Sequence, residues 1–358
     1  MKKKVTLTLL TGFVALIFGL ILCGIGYFMG GIEDLKTIAT PHLTEETYQG
    51  IREIKMDAQA RAVLIDESPD DKFHIRYANF DNFRYRSLVV QQDNHTLTIK
   101  GKDPKFHTQG IMQFLGQELA VNMQDNHELK ALTILVPKGT VLENVSGLSG
   151  WNYGDSLSLN SVHIKNLDWS GYIDGDRVKL EGGKLTALNS NSISIRNSHL
   201  KNMVIESPSA SQFYHTSTLE NVTIKQASSL NLLNTSILGT TSLETTNLYH
   251  SEINVELSDK SKKDTQLEAT ATYDWEKLSD TYYPNYSNDS ETDGEERKKE
   301  FQKEQLEQMG IRLGSGYKDL TVDETTDGAK LIHRPTDAPN KLIIKTINGK
   351  ISLGTSTD

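Results

Sequence analysis

Leucines recur along the middle of this chain at a nearly constant interval. Leu142, Leu159, Leu180, Leu200, Leu219 and Leu238 are separated by 17, 21, 20, 19 and 19 residues. Asn144, Asn202 and Asn221 each follow such a leucine by two places, and the fragments VLENVSG, SLNSVHIKN, RVKLEGG, HLKNMVIES, TLENVTIKQ and SILGTTSLE look alike. A unit of this size cannot bury its apolar face alone, so it must stack on its neighbours. Between Val141 and Leu257, Ser and Asn supply 19 and 13 residues, or 32 of 117, too polar a mixture for a thick core. It suits short strands joined by small polar turns. A β-sandwich would show turns every 8–12 residues and a richer aromatic core, whereas aromatics are 7% here. The expected fold is mainly β, a β-solenoid or β-roll of stacked short strands, with Leu180, Leu200 and Leu219 turned inward.

The N-terminus imposes a second constraint. No charged side chain occurs from Val5 to Ile32, and Lys2, Lys3 and Lys4 precede that run. At about 1.5 Å per residue it exceeds the roughly 30 Å hydrocarbon core of a bilayer. The expectation is one transmembrane helix over 5–32, with a cytoplasmic tail at 1–4 and everything after it outside the cell. Four residues before the span leave no room for a cytoplasmic signalling domain. A signal peptide has a shorter apolar region, of about 7–15 residues, and a small-residue cleavage site. Leu20-Ile21-Leu22-Cys23 resembles a lipidation box but has Leu22 where a small residue belongs. Within the helix, Thr8, Gly12, Ala15, Gly19, Cys23, Gly26 and Gly30 fall on one side at 100° per residue, a candidate face for pairing with itself or with a membrane-protein partner.

The rest divides by composition. Residues 33–50 read as a juxtamembrane stalk, and 51–258 as the β-strand-repeat domain, with β-rich runs such as RAVLIDES, KFHIRYANF and ALTILVPKG. Residues 259–312 read as an acidic polar insertion with a short helix opened by Asp293. Asp259 to Glu307 alone hold 14 acidic and 8 basic residues. Strands resume over 313–358, as YKDLTV, KLIHR, NKLIIKTI and GKISLG. The net charge of -9 argues against nucleic acid as a partner. The single cysteine, Cys23, excludes an internal disulfide and a cysteine-based zinc cluster.

IREIKMDAQARAVLIDESPDDKFHIRY, HTLTIKGK, ALTILVPKGTVLENVSGLSG and NKLIIKTINGKISLG are similar to stretches of a bacterial β-strand-repeat family of unknown function, described as candidate adhesins, to which LiaG-like envelope proteins belong. The resemblance covers roughly 51–258 and 313–354. It implies a membrane-anchored surface protein of a Gram-positive envelope, linked to envelope stress or surface interaction. It supplies no catalytic residues, and the long 259–312 segment departs from the shorter family pattern.

Asp155, Asp168, Asp174 and Asp176 are the one candidate glycan or cation site, with Trp151, Tyr153, Trp169 and Tyr172 near them in sequence. Asp beside Gly also marks turns, where its carboxylate bonds the backbone. The histidines are scattered, with His163, His199 and His215 in or beside the repeats, and no HExxH, GxSxG, Walker or GxGxxG motif is present. The sequence therefore points to a non-catalytic envelope scaffold or adhesin-like interaction protein without cofactor or resident metal. The alternative is a surface β-helix that binds or cleaves glycans through the Asp155–Asp176 region. A cell-wall or other surface ligand is compatible with either.

Overall fold

The computed structural model describes residues 2–31, 34, 40–57, 61–80, 85–102, 121, 127–148, 156–186, 192–207, 211–245, 251–282, 300 and 302–354. It divides into two compact units. The first comprises Met1–Thr44, Tyr77–Ser87 and Lys102–Ala131. It contains the helix Lys2–Phe28 and a small core of Ala78, Phe80, Tyr85, Val121 and Leu129. Of that helix, the 21 residues Thr8–Phe28 have the length and hydropathy to cross a membrane. At about 1.5 Å each they span about 31 Å. The helix is shorter than the expected 5–32 because Gly30 takes φ +83 and closes it, its N–H bonding Tyr27 O at 3.2 Å. Gly30 thus lies beyond the helix and leaves the small-residue face, which retains Gly12, Ala15, Gly19, Cys23 and Gly26.

The second unit is a β-solenoid in which successive coils stack through parallel strands on two faces. One face runs from Glu53–Asp57 through Val141–Leu148 and His163–Ser170 to Thr240–Thr245. The other runs from Ala62–Glu67 through Ser156–Asn160, Tyr172–Asp176, Ile193–Arg196, Ser211–His215 and Ser229–Leu238 to Glu252–Leu257. Side chains alternate in and out, so every coil sends one set into the space between the faces.

The interior consists of stacked columns. Leu142, Ile164, Leu180, Leu200, Leu219 and Ile237 occupy equivalent positions, each fully buried. Leu180, Leu200 and Leu219 therefore stack inward as expected, but the two other leucine assignments need correction. Leu159 belongs to the opposite face, opposite Gly175, and Ile164 takes its place. Leu238 is 37% exposed, and Ile237 replaces it. Matching by leucine alone overlooks the period of two, in which a one-residue slip moves a side chain to the other surface. Trp169 also points inward, 2% exposed, into room left by Gly147, where an added Cβ would come within 2.6 Å of the ring.

The serine and asparagine content serves the corners. Ser161, Arg177, Asn197, Thr216 and Asn234 all take φ between 50 and 54°. The first four donate their backbone N–H to the next coil, as in Asn197 N to His215 O at 3.0 Å. The following residue points inward. Ser198 Oγ accepts from Val178 N at 3.0 Å, Ser217 Oγ accepts from Ser198 N at 3.2 Å, and Thr235 Oγ1 donates to Tyr214 O at 3.1 Å. A small hydroxyl satisfies a corner amide that would otherwise be buried without a partner. The asparagines after the leucines form a second corner: Asn202 and Asn221 take φ 51 and 53°, and Asn221 Nδ2 donates to Asn202 Oδ1 at 3.3 Å.

The C-terminal end departs from chain order. Asn340–Ile347 and Lys350–Leu353 form a coil that sits on Thr240–Thr245 and Glu252–Leu257. Beyond it, on the same two faces, lie Thr265–Thr272 and Gly310–Leu313. The last coil in sequence is thus the penultimate coil in space. The reading of 259–312 as one insertion is corrected accordingly, because two of its stretches form the terminal coil. The alternation in TQLEATAT buries Thr265, Leu267, Ala269 and Ala271. Helices Asp259–Asp264, Trp275–Tyr282 and 302–308 lie between and around these strands, while Asp293 falls outside the described residues. The stalk reading of 33–50 is likewise modified by a strand at Leu43–Tyr48. Antiparallel strands border the first face at both ends: Leu88–Asp93 pairs with Thr96–Gly101, which lies parallel beside Glu53–Asp57, and Gly328–His333 lies on Thr265–Thr272.

The corrected register predicts a contrast. Leu200→Asp removes burial worth about 1.5–3 kcal/mol and places a charge in the column, so several coils should lose their thermal transition together. Leu238→Asp, at an exposed position, should melt within a degree or two of the parent in a circular-dichroism scan.

Candidate functional site

The two faces carry different outer chemistry. On the face of the leucine column, outward positions alternate in charge from coil to coil. Glu181 receives Lys179 Nζ at 2.6 Å and His163 Nε2 at 2.9 Å. Glu220 receives Lys201 Nζ at 2.7 Å and His199 Nε2 at 2.9 Å. Lys184 meets Glu206 at 2.7 Å, and Lys165 meets Glu143 at 2.9 Å. All of these contacts except Lys179–Glu181, which lies within one coil, join one coil to another. Lys179 and His163 together hold the Glu181 carboxyl down to about 2, and Lys201, with His199, lowers that of Glu220. Lys184 likewise lowers Glu206. Near the start of the solenoid, His74 lies between Glu45 Oε1 at 3.0 Å and Asp70 Oδ1 at 2.8 Å, while Arg76 Nε donates to Glu45 Oε2 at 3.0 Å. Arg76 and then His74 lower Glu45, and His74 lowers Asp70.

The opposite outer face is an amide and hydroxyl surface. Its central column reads Ser158, Asp174, Ser194, Phe213, Asn231, Asn254, Ser352 and Arg312, one residue per coil. The five positions from Ser194 to Ser352 carry no charge. Asn254 Nδ2 donates to Asn231 Oδ1 at 2.9 Å, and Asn231 Nδ2 donates to Ser229 Oγ at 3.2 Å. Phe213 and Leu233 remain 47% and 46% exposed. Together with Asn231, Asn254 and Ser352 they line a shallow hollow of about 470 Å³. Nothing in the sequence marks these residues individually. They emerge only when the coils are aligned by the buried columns and their alternate positions are read across.

Of the predicted acidic residues, the described Asp168, Asp174 and Asp176 do not converge on one site. Asp168 lies on the ion-pair face, where its Oδ1 accepts Lys184 N at 2.9 Å. Asp174 and Asp176 lie on the amide face. Asp174 pairs with Arg196 at 3.2 Å, and Asp176 takes Arg177 at 3.0 Å and Asn197 Nδ2 at 2.8 Å. Asp155, Trp151 and Tyr153 fall outside the described residues. Among the described residues no group of three His, Cys, Asp or Glu side chains is arranged to hold a metal ion. Trp169 is in the core and presents no ring to solvent, whereas Tyr172 is partly exposed.

This arrangement of parallel coils agrees with a comparison against known families. The Toastrack family model, DUF4097, matches residues 51–323. The chain belongs to the Toastrack family. As in the resemblance read from the sequence, this is a β-repeat family of uncharacterised function. No curated protein matches this Toastrack chain. A crystal structure from Clostridium sporogenes ATCC 15579, described as that of a candidate cell adhesion protein, aligns over 88% of this chain and 99% of its own, at 8% identity and a TM-score of 0.23. That score is too low to carry fold or function across.

The ion pairs predict a pH dependence for this Toastrack domain. A carboxyl whose pKa is lower in the folded than in the unfolded state stabilises the fold above the unfolded value and loses that contribution as pH falls through the folded one. For Glu181 the window runs from about 4.5 down to about 2. Glu181→Gln should therefore melt below the parent at pH 7, and the gap should close between pH 4.5 and 2. A gap constant over that range, measured by melting temperature against pH, would remove the pair from the account.

Proposed function

We propose that this Toastrack protein is a non-catalytic, membrane-anchored scaffold of the bacterial envelope, its N-terminus cytoplasmic and its solenoid presented outside as an adhesin-like interaction surface. The observation that carries the reading is the use made of the carboxylates. Asp168, Asp174 and Asp176 of the predicted acidic site, and Glu143, Glu181, Glu206 and Glu220 of the ion-pair face, are each engaged by a neighbouring coil, which leaves them stabilising the stack instead of facing a common groove. Acid-base glycoside chemistry needs two carboxyl groups at a set separation across one substrate. The solenoid instead offers long faces on which contacts repeat coil by coil. The apolar helix supports the anchor: Thr8–Phe28 has no buried residue and has the length and hydropathy of a membrane span. The three lysines before it favour a cytoplasmic N-terminus.

The helix also supplies a route to partners. Apolar side chains gain little from meeting each other in lipid, so close backbone approach across Gly12, Ala15, Gly19, Cys23 and Gly26 becomes the means of association. A link to envelope stress would run through such a partner.

Protease added to intact protoplasts should digest the solenoid and leave a short fragment with the helix in the membrane. Recovery of a mature protein beginning near residue 30 in the medium would contradict the anchor. In a transmembrane-association reporter, Gly19→Ile should lower the signal several-fold while Leu20→Ile leaves it unchanged. Equal signals would reduce the helix to an anchor alone.

A further inference from the structure

We propose that the amide face is a binding site for a neutral glycan strand lying along the stacking axis over Phe213, Asn231 and Asn254. The inference rests on the reading of the solenoid as an outward-facing interaction surface and names its ligand class.

Charge is the first argument. The protein carries a net -9, and its other face is a lattice of ion pairs, yet five successive central positions from Ser194 to Ser352 are neutral. The strip is bordered by two ion pairs, Asp174 with Arg196 at 3.2 Å and Glu252 with Lys350 at 3.4 Å, and by one further charge of each sign, Glu256 at the hollow and Arg312 beyond Ser352. Such a surface neither attracts an anionic polymer nor repels an uncharged one.

The side chains present supply the second. A sugar ring has an apolar face, which seats on an aromatic ring, and a rim of hydroxyls that donate and accept. Phe213 offers nearly half its surface to solvent, with Leu233 diagonal to it in the next coil. The Asn231 and Asn254 amides fix each other's orientation through the 2.9 Å bond between them. An amide has two N–H donors and two acceptor lone pairs. Each of these asparagines spends one donor inside the ladder, so each keeps the other for a hydroxyl. The mutual bond holds them in place before any ligand arrives, which lowers the ordering cost of binding.

Spacing is the third. Adjacent strands lie about 4.7–4.9 Å apart, so the four intervals from Ser194 to Ser352 cover about 19 Å. A linear polysaccharide advances by a similar length per sugar, which lets successive rings meet equivalent positions. A second copy of this chain is a poorer match. One aromatic and one leucine amid hydrogen-bonding positions do not make the apolar centre that a stable homodimer buries.

The test uses the full chain in nanodiscs, free of glycoside detergent, titrated calorimetrically with chitohexaose, cellohexaose and maltohexaose. At least one should bind with 1:1 stoichiometry. Phe213→Ala should weaken it about tenfold or more. Asn231→Ala with Asn254→Ala should weaken it further, while Lys184→Ala on the opposite face leaves it unchanged. Melting curves verify that each variant folds. No binding of any of the three by the folded parent overturns the proposal, as does binding that Phe213→Ala leaves intact. A change in oligomeric mass caused by Phe213→Ala assigns the face to self-association and overturns it too. Protease accessibility on protoplasts is independent: an accessible solenoid that binds no glycan removes the ligand but keeps the surface reading, and a glycan-binding solenoid sealed from protease does the reverse.

Discussion

The in-register backbone ladder between coils is the interaction on which everything else in the solenoid rests. Each strand is short, several having only two to four residues, and none could persist alone. Parallel pairing above and below satisfies its amides, and the same register aligns side chains of one kind into columns. Leu180, Leu200 and Leu219 then bury one another, Glu181 and Glu220 meet His163 and Lys201 from adjacent coils, and Asn221 hydrogen-bonds Asn202. A repeat stack of this kind derives its stability from neighbour contacts, so a fault at one level propagates to the next.

The register also makes the faces chemically distinct. A column is set by one position in the repeat, and each coil can vary that position without disturbing the columns beside it. On one face the variation has produced alternating charge, which welds coils together. On the other it has produced serine, phenylalanine and asparagine, with little of their hydrogen-bonding capacity consumed by the fold. Ion pairs between coils and uncharged polar positions are thereby separated onto opposite sides of the same thin core.

Much of this was legible in the sequence. The twenty-residue interval, the serine and asparagine content and the charge-free N-terminal run led to the Toastrack solenoid and to a candidate membrane span, and the inward leucines at 180, 200 and 219 were placed correctly. Leu159 and Leu238 were misplaced because the interval varies by a few residues, and the face of a strand changes with a shift of one. Thr265–Thr272 was hidden within a charged stretch, although TQLEATAT has the required alternation. The order of the last two coils had no local signal, since it is set by pairing between strands about a hundred residues apart in the chain. The amide face was invisible for a related reason: Phe213, Asn231 and Asn254 are about twenty residues apart and become one surface only through the stacking.

The intercalated coil gives the account its most exposed claim. Asn340–Leu353 should hold Thr265–Thr272 and Gly310–Leu313 on the stack, because among the described strands their parallel pairing to the repeat runs through it. The direct measurement is hydrogen exchange by mass spectrometry on the full chain and on a chain ending at 339. The stacking order predicts that truncation removes protection from 265–272 and 310–313 together, exposes the edge at 240–245 and 252–257, and leaves 163–225 protected. Undiminished protection at 265–272 in the truncated chain would contradict it.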